Sequence, residues 1–430
     1  MRAYFSRALI CGLLAAASGG SAAVSNAGAR DLGPALPWGA DPPAQPALRR
    51  AAAIAALGRE LFLDPALSAS GRMSCASCHA PANHFAPAND LPVQLGGRRG
   101  DQSGTRAAPG LTYAAATPFF TEHYYDSDGN EAVDAGPTGG RTWDGRINRV
   151  RDQVAIPLLS ANEMANADEA AVVARAARAP YASRLRELYG ADVFRDAHRA
   201  LQAIGQSLEA YLQTPAEFSP FTSKYDAFLR GQVALSAQEM RGLRAFNDPE
   251  RGNCANCHHS QLTPNGELPL FTDFGLIALG LPRNPRIPAN QDPAWFDLGA
   301  CGPLRRDLAG QAQFCGLFKA PSLRNVATRR SFFHNGVFTS LRDAVAFYAT
   351  RDTNPERWFP RGPDGKPQKF DDLPPQYRDN VNMEPPFGRQ PGGQPAMSEQ
   401  DISDIVAFLQ TLTDGFTPPR VAATAVARSR

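Results

Sequence analysis

Apolar residues recur at helical spacing in several separate stretches of the chain. Leu201, Ile204, Leu208 and Leu212 share one face of a segment that the spacing predicts as a helix over 198–213, starting at His198. Near the far end Ile402, Ile405, Val406, Leu409 and Leu412 do the same, with Ser398 as the cap and acidic residues in the first turn. Two further stretches echo one another: Gly58-Arg59-Glu60-Leu61-Phe62-Leu63-Asp64-Pro65 and Gly242-Leu243-Arg244-Ala245-Phe246-Asn247-Asp248-Pro249. Each predicts a helix stopped by Asp-Pro, and Ser236 with Glu239 forms a capping box ahead of the second. The echo implies two halves built on one ancestral unit.

The periodicity is interrupted in four places. Arg2 and Arg7 precede or enter an apolar run from Ala8 to Ala17, and small residues follow through Ser21-Ala22-Ala23 to Asn26-Ala27, which are the parts of a secretory signal. Cleavage is expected after Ala23 or Ala27, with a retained N-terminal anchor as the alternative. No later segment approaches the roughly 20 apolar residues of a membrane span, so the mature protein is expected to be soluble and periplasmic. The Pro-rich stretch 34–48 and the tail beyond Thr417 read as flexible. Residues 351–396 are too long for a mere connection and are expected to form an ordered functional loop or lid.

Composition adds little except exclusions. A chain of 430 residues, 43% hydrophobic, can bury two domain cores, and a formal charge of +2 shows no basic bias toward nucleic acid. Cysteine is more informative. Cys11 lies in the leader, and four others form two C-x-x-C-H pentads, Cys75-Ala76-Ser77-Cys78-His79 and Cys254-Ala255-Asn256-Cys257-His258. In such a pentad two thiols anchor a porphyrin and the imidazole ligates iron, so the chain is expected to carry two covalently bound haem c groups on His79 and His258. Cys301 and Cys315 are expected to form a disulfide worth about 3 kcal/mol, which requires an oxidising compartment; two reduced buried thiols are the alternative.

The two pentads, with Thr142-Trp143-Asp144-Gly145-Arg146 between them and Lys319-Ala320-Pro321-Ser322-Leu323-Arg324-Asn325-Val326 after the second, closely resemble the bacterial dihaem cytochrome c peroxidase and MauG superfamily over roughly residues 50–415. The resemblance implies a mainly α fold: two cytochrome-c-like haem domains facing each other, with long ordered loops. Its division would be a signal peptide (1–27), a Pro-rich segment (28–49), an N-terminal haem domain with the peroxide site (50–235), a C-terminal domain with a six-coordinate haem (236–415) and a flexible tail (416–430).

The same resemblance assigns roles. Trp143 falls between the haems as a stepping site for electrons or holes, the alternative being a packed aromatic plug. Gln153 and Glu163 match a distal-pocket glutamine and a catalytic glutamate, the carboxyl relaying the peroxide proton as base and then acid. Pro157 would keep that face tight. Dihaem peroxidases take a methionine as the second haem's remote ligand, whereas MauG-type enzymes take a tyrosine, and after His334-Asn335-Gly336 the position falls on Tyr348. Met383 and Met397 are the alternatives. A phenolate favours ferric iron, so the second haem is expected to store an oxidising equivalent.

The first haem is expected to stay open, since 91–101 holds no histidine; His123 is the one nearby alternative ligand. His84, His198 and His259 read as structural or surface residues, and His334 as a partner for a propionate. Family calcium is left open, because Ala107 stands where an asparagine is expected and Arg329 and Ser331 replace threonine and proline. The guanidinium of Arg329 could supply the missing charge. Asp126, Asp128, Asn130 and Asp134 read as a solvated acidic hairpin rather than a calcium loop.

These features point to a MauG-like enzyme that uses hydrogen peroxide to oxidise a partner protein at long range. The run from Phe347 to Trp358 resembles dihaem enzymes encoded with methanobactin genes, which oxidise a tryptophan of a partner. The alternatives are a peroxidase fed by a small cytochrome or cupredoxin, and a pure electron carrier.

Overall fold

Helix α1 (Ala44–Leu63) starts inside the stretch read from sequence as flexible. Its composition explains the correction: Arg49 to Ala56 is almost all strong helix former, and Pro46 sits in the first turn, where its missing N–H breaks no bond. The computed structural model describes residues 44–125 and 134–419; the leader, Asp126, Asp128, Asn130 and the tail from 420 lie outside the described residues. From Leu48 the chain forms one compact unit. The other helices that matter here are α2 (Val150–Gln153), α3 (Ala155–Leu159), α4 (Ala197–Leu212), α5 (Ala237–Asn247), α6 (Leu341–Thr350) and α7 (Glu399–Gln410). Among the described residues strand is confined to two short antiparallel pairs, β1 (Leu95–Gly96) on β2 (Gln102–Ser103) and β3 (Leu276–Ile277) on β4 (Phe318–Lys319).

The caps anticipated from sequence are in place. Ser236 Oγ accepts from the backbone of Glu239 at α5, and Ser398 Oγ from that of Asp401 at α7. At α4 the cap is Asp196, whose carboxylate accepts from Arg199 N at 2.7 Å. Apolar faces gather into two main cores. One, between Leu57 and Phe218, is built on α1 and α4; the other, between Tyr225 and Leu412, on α5, α6 and α7. A satellite cluster surrounds the Cys301–Cys315 disulfide. Residues 351–396 are ordered without being regular: Phe359, Phe370, Leu373 and Val381 anchor them in the second core, and Phe387 stacks on Tyr348.

The sequence echo extends far beyond its eight residues. At Gly58 an added methyl would strike the carbonyl of Ser207 and Cβ of Tyr211, and at Gly242 the carbonyl of Asp404 and Cβ of Phe408, so each glycine lets α1 or α5 cross its partner helix at backbone contact. Phe62 then meets Phe85 and Tyr211 edge-on, as Phe246 meets Phe271 and Phe408. Phe85 and Phe271 both have left-handed backbones, and their carbonyls accept from Leu111 N and Leu323 N, each at 3.2 Å. Trp143-Asp144-Gly145 and His334-Asn335-Gly336 sit in matching turns, closed by the bridges Arg141 to Ile147 and Phe332 to Phe338. Downstream, Arg151-Asp152 of α2 matches Arg342-Asp343 of α6.

Candidate active site

The first pentad is a single helical turn, Cys75–Cys78, with Ser74 N donating to Ser77 Oγ at 3.0 Å and His79 N to Cys75 O at 2.9 Å. Burial pushes the Cys75 thiol up to about 12 and Cys78 to about 11; the Glu163 carboxylate adds to both, which places Glu163 beside this pentad. Burial in turn raises Glu163 above its ordinary range, while Arg146 pulls it down. The loop carrying Glu163 is fixed by the β1–β2 hairpin: Gly97 N donates to Glu163 O at 2.7 Å and Asn162 Nδ2 to Ser103 O at 3.1 Å. His79 is half-buried, and desolvation lowers its pKa to about 4.

The second pentad opens on Asn253, in a left-handed conformation, whose side chain donates to Pro385 O at 2.8 Å. Burial raises Cys254 and Cys257 to about 12. His258 pairs through Nδ1 with the carbonyl of Phe271 at 2.8 Å, and burial lowers its pKa. Tyr348 projects from α6 toward this pentad. Burial drives its hydroxyl well above the usual phenol range, helped by the charges of Cys254 and Cys257.

A cavity of ≈ 310 Å³ is lined by Cys254, Cys257, His258 and Tyr348 together with Trp143, Gln153 and His84. Trp143 is buried within it, its Nε1–H donating to Ala107 O at 2.8 Å. His334 approaches Trp143 edge-on at 6.4 Å, stacks on Phe318 and faces Asp372 at 3.2 Å. Behind the tryptophan lies fully buried Asp144. Burial pushes its carboxyl up, but Arg106 at 2.7 Å and Arg146 at 2.6 Å outweigh this and hold it below the usual range. Arg106 also forks onto Asp297.

The structure therefore gathers the predicted residues into two groups. Trp143, Gln153, Cys254, Cys257, His258 and Tyr348 line one cavity, whereas Glu163 keeps company with Cys75 and Cys78 outside that lining. Of the alternative ligands, Met397 lines the cavity, but Met383 is 47% exposed and takes a hydrogen bond from Arg351. His123 is exposed and pairs with Asp134 on the surface, His198 faces Glu169, and His259 is exposed.

A family model described as di-haem cytochrome c peroxidase matches residues 52–234. The methylamine utilization protein MauG of Paracoccus denitrificans is 36% identical over 369 residues, covering 84% of this chain and 89% of its own length. The chain belongs to the dihaem cytochrome c peroxidase and MauG family. It is an oxidoreductase of that family, which implies two haem groups. Among solved structures, the diheme peroxidase BthA of Burkholderia thailandensis is 43% identical with a TM-score of 0.76, covering 84% of this chain and 86% of that one. A MauG-like protein associated with microbial copper homeostasis shares the fold at 23% identity, with a TM-score of 0.55 over 84% of this chain and 89% of its own.

The residues present fit the family's haems. Among the described residues the four pentad cysteines are free, and their elevated thiol pKa values leave no reactive thiolate, which argues against a redox dithiol. Both pentad histidines are half-buried, and desolvation favours the neutral ring in each. With Nδ1 of His258 donating to a carbonyl, the lone pair stays on Nε2, as an iron ligand requires. Nδ1 of His79 is buried without a partner of ordinary geometry, although the carbonyls of Phe85 and Pro109 act on the ring. The cavity also receives basic side chains whose hydrogen bonds go to backbone carbonyls: those of Arg141 and Arg329, and that of Lys319, which is pushed down to about 7 by burial and by Arg141 and bonds Gly140 O. The acidic edge of a haem suits them.

The internal repeat also shows an asymmetry of the two sites. Gly145 and Gly336 occupy equivalent turns, and the residue twelve places further on is Pro157 in the first half and Tyr348 in the second. The second half thus carries a phenol at the position where the first carries a ring without any donor atom. Sequence reading missed Arg106, Arg141, Asp297 and Lys319. A buried cation leaves no periodic trace, and Asp297 lies 191 residues from the arginine it holds.

Proposed function

We propose that this protein activates hydrogen peroxide at the haem of the first pentad and withdraws electrons from a partner protein through Trp143 and the haem of the second, in the manner of MauG. The asymmetry between Pro157 and Tyr348 carries this reading: proline offers the first iron no ligand and would leave room for peroxide, whereas the phenol of Tyr348 would favour a high oxidation state of the second. Bound haem supplies the iron at which the O–O bond of peroxide is cleaved. His79 and His258 would hold the two irons, and Cys75, Cys78, Cys254 and Cys257 would attach the porphyrins covalently. Glu163 moves the proton from one peroxide oxygen to the other, its raised pKa suiting both halves of that task. Gln153 orients the substrate by hydrogen bonding, and Trp143 bridges the two sites.

The halves read as two haem domains joined near residue 235, and the bridge from Arg329 to Ala108 O and Ser331 O supports a guanidinium rather than calcium at their junction. The Cys301–Cys315 disulfide supports a periplasmic location, and among the described residues no helix is long and apolar enough to cross a membrane. A second reading draws on BthA, named a peroxidase: reduction of peroxide with electrons from a small cytochrome or cupredoxin. Rapid steady-state turnover with such a donor would favour it.

The deciding measurement is the absorption and EPR spectrum of the ferric holoprotein and of Tyr348→Phe, before and after one equivalent of peroxide. The wild type is expected to show one high-spin and one low-spin haem, with the low-spin signature lost in the variant. An unchanged low-spin haem would shift the assignment to Met397.

A further inference from the structure

The geometry points to Trp358 as the surface port through which single electrons from a protein donor reach the second haem, an inference that rests on peroxide leaving that haem short of electrons. Trp358 is half-buried, just beyond α6, and its Nε1–H donates to Thr350 Oγ1 at 3.0 Å. Its ring meets Phe347 at 5.7 Å and Phe338 at 5.3 Å, both nearly edge-on. Phe347 meets Tyr348 at 6.4 Å; by the other branch Phe338 meets Phe333 at 5.5 Å, and Phe333 meets Tyr348 at 5.9 Å. Two unbroken runs of packed rings therefore connect the solvent to the proposed ligand of the second iron.

The chemistry of these rings sets their roles. Phenylalanine is too hard to oxidise to hold a hole and serves as dense, polarisable medium, whereas indole gives up an electron readily. Of the tryptophans in the described residues, Trp143 is buried in the cavity beside the second pentad and Trp295 has no ring contact with this network. The Arg357 guanidinium lies 4.3 Å from the centroid of the Trp358 ring and donates to Asp343 at 3.0 Å. A cation over the indole face makes loss of an electron harder, and Asp343 offsets part of that. Trp358 is thus a passing point for charge and not a resting place.

The electron count closes. Trp358 gives one electron inward and keeps its Nε1 proton, since the hydroxyl of Thr350 is a poor base; the donor then returns one electron to the indole. Two such passages, with two protons from solvent, reduce one hydrogen peroxide to two waters.

The test uses the holoprotein, one equivalent of peroxide, and then ferrous cytochrome c as the probe donor. Return to the ferric spectrum is expected to slow at least about tenfold in Trp358→Phe, to recover in Trp358→Tyr, whose ring is again oxidisable, and to be unaffected in Trp295→Phe. Independently, repeated peroxide without a donor is expected to add oxygen at Trp358, seen by peptide mass spectrometry, and more of it in Arg357→Gln. A normal spectral response to peroxide with unchanged return kinetics in Trp358→Phe and no oxygen on Trp358 would overturn the port alone. No spectral response in the wild type would overturn the proposed function and the port with it.

Discussion

Glu163 sits where two opposing influences meet. Burial favours its protonated form, Arg146 favours the charged one, and the balance leaves its pKa above the ~4.3 of a solvated glutamate. A relay that first accepts a proton needs the carboxylate, so the peroxide reaction is expected to speed up as pH rises through that elevated pKa. Glu163→Gln removes both functions; stopped-flow absorption should show peroxide cleavage slowed by about 10²–10⁴ with both haems still attached. A rate unchanged in the variant, or an acid limb that persists in it, would take Glu163 out of the mechanism. At this scale legibility in the sequence followed from the chemistry. The pentads are readable because covalent attachment dictates their spacing, whereas Arg106 and Asp144, 38 residues apart, become partners only when the chain folds.

The helices that the apolar spacing revealed are those with a cap and a single buried face: α4, α5 and α7 begin within a residue or two of their expected starts. What escaped notice is how far the repeat extends, because its later parts keep backbone geometry and change side chains, as where Trp143 answers His334 and Pro157 answers Tyr348. Gly242 shows the constraint that the repeat preserves. Alanine there should gain roughly 1 kcal/mol of helix propensity. Its methyl would also be driven into the Asp404 carbonyl and to 2.8 Å from Phe408 Cβ, and backbone of α7 cannot yield as a flexible side chain would. Overpacking of that kind costs about 1–3 kcal/mol. The steric loss is expected to win, so Gly242→Ala should lower the thermal midpoint of the holoprotein followed by circular dichroism; a higher midpoint would mean that α5 and α7 are not held at backbone contact.

The halves of the molecule are tied together by polar groups from both. Tyr113 of the first half donates to Asp414 at 2.8 Å, and Asn325 Nδ2 of the second reaches the same carboxylate at 2.8 Å. Arg324 lies over the Tyr113 ring and forks onto Asp226 at 2.9 and 3.0 Å, the ion pair being excluded from solvent. Burial pushes Asp226 upward, but hydrogen bonds and charge from Arg324, with Ser223, outweigh it and leave the folded pKa below the usual carboxylate value. Because the folded pKa is the lower one, the stabilisation is complete above the unfolded value of about 3.9 and fades as pH falls through the folded value. Asp226→Asn would strand a buried guanidinium and is expected to lose about 3–5 kcal/mol near neutral pH. Denaturant unfolding of both proteins should therefore show a gap that is constant from pH 7 to about pH 5 and shrinks below about pH 4. A gap of equal size at pH 3 and pH 7 would mean that Asp226 gains no charge-dependent stabilisation from Arg324, and that shape alone holds the guanidinium over the Tyr113 ring.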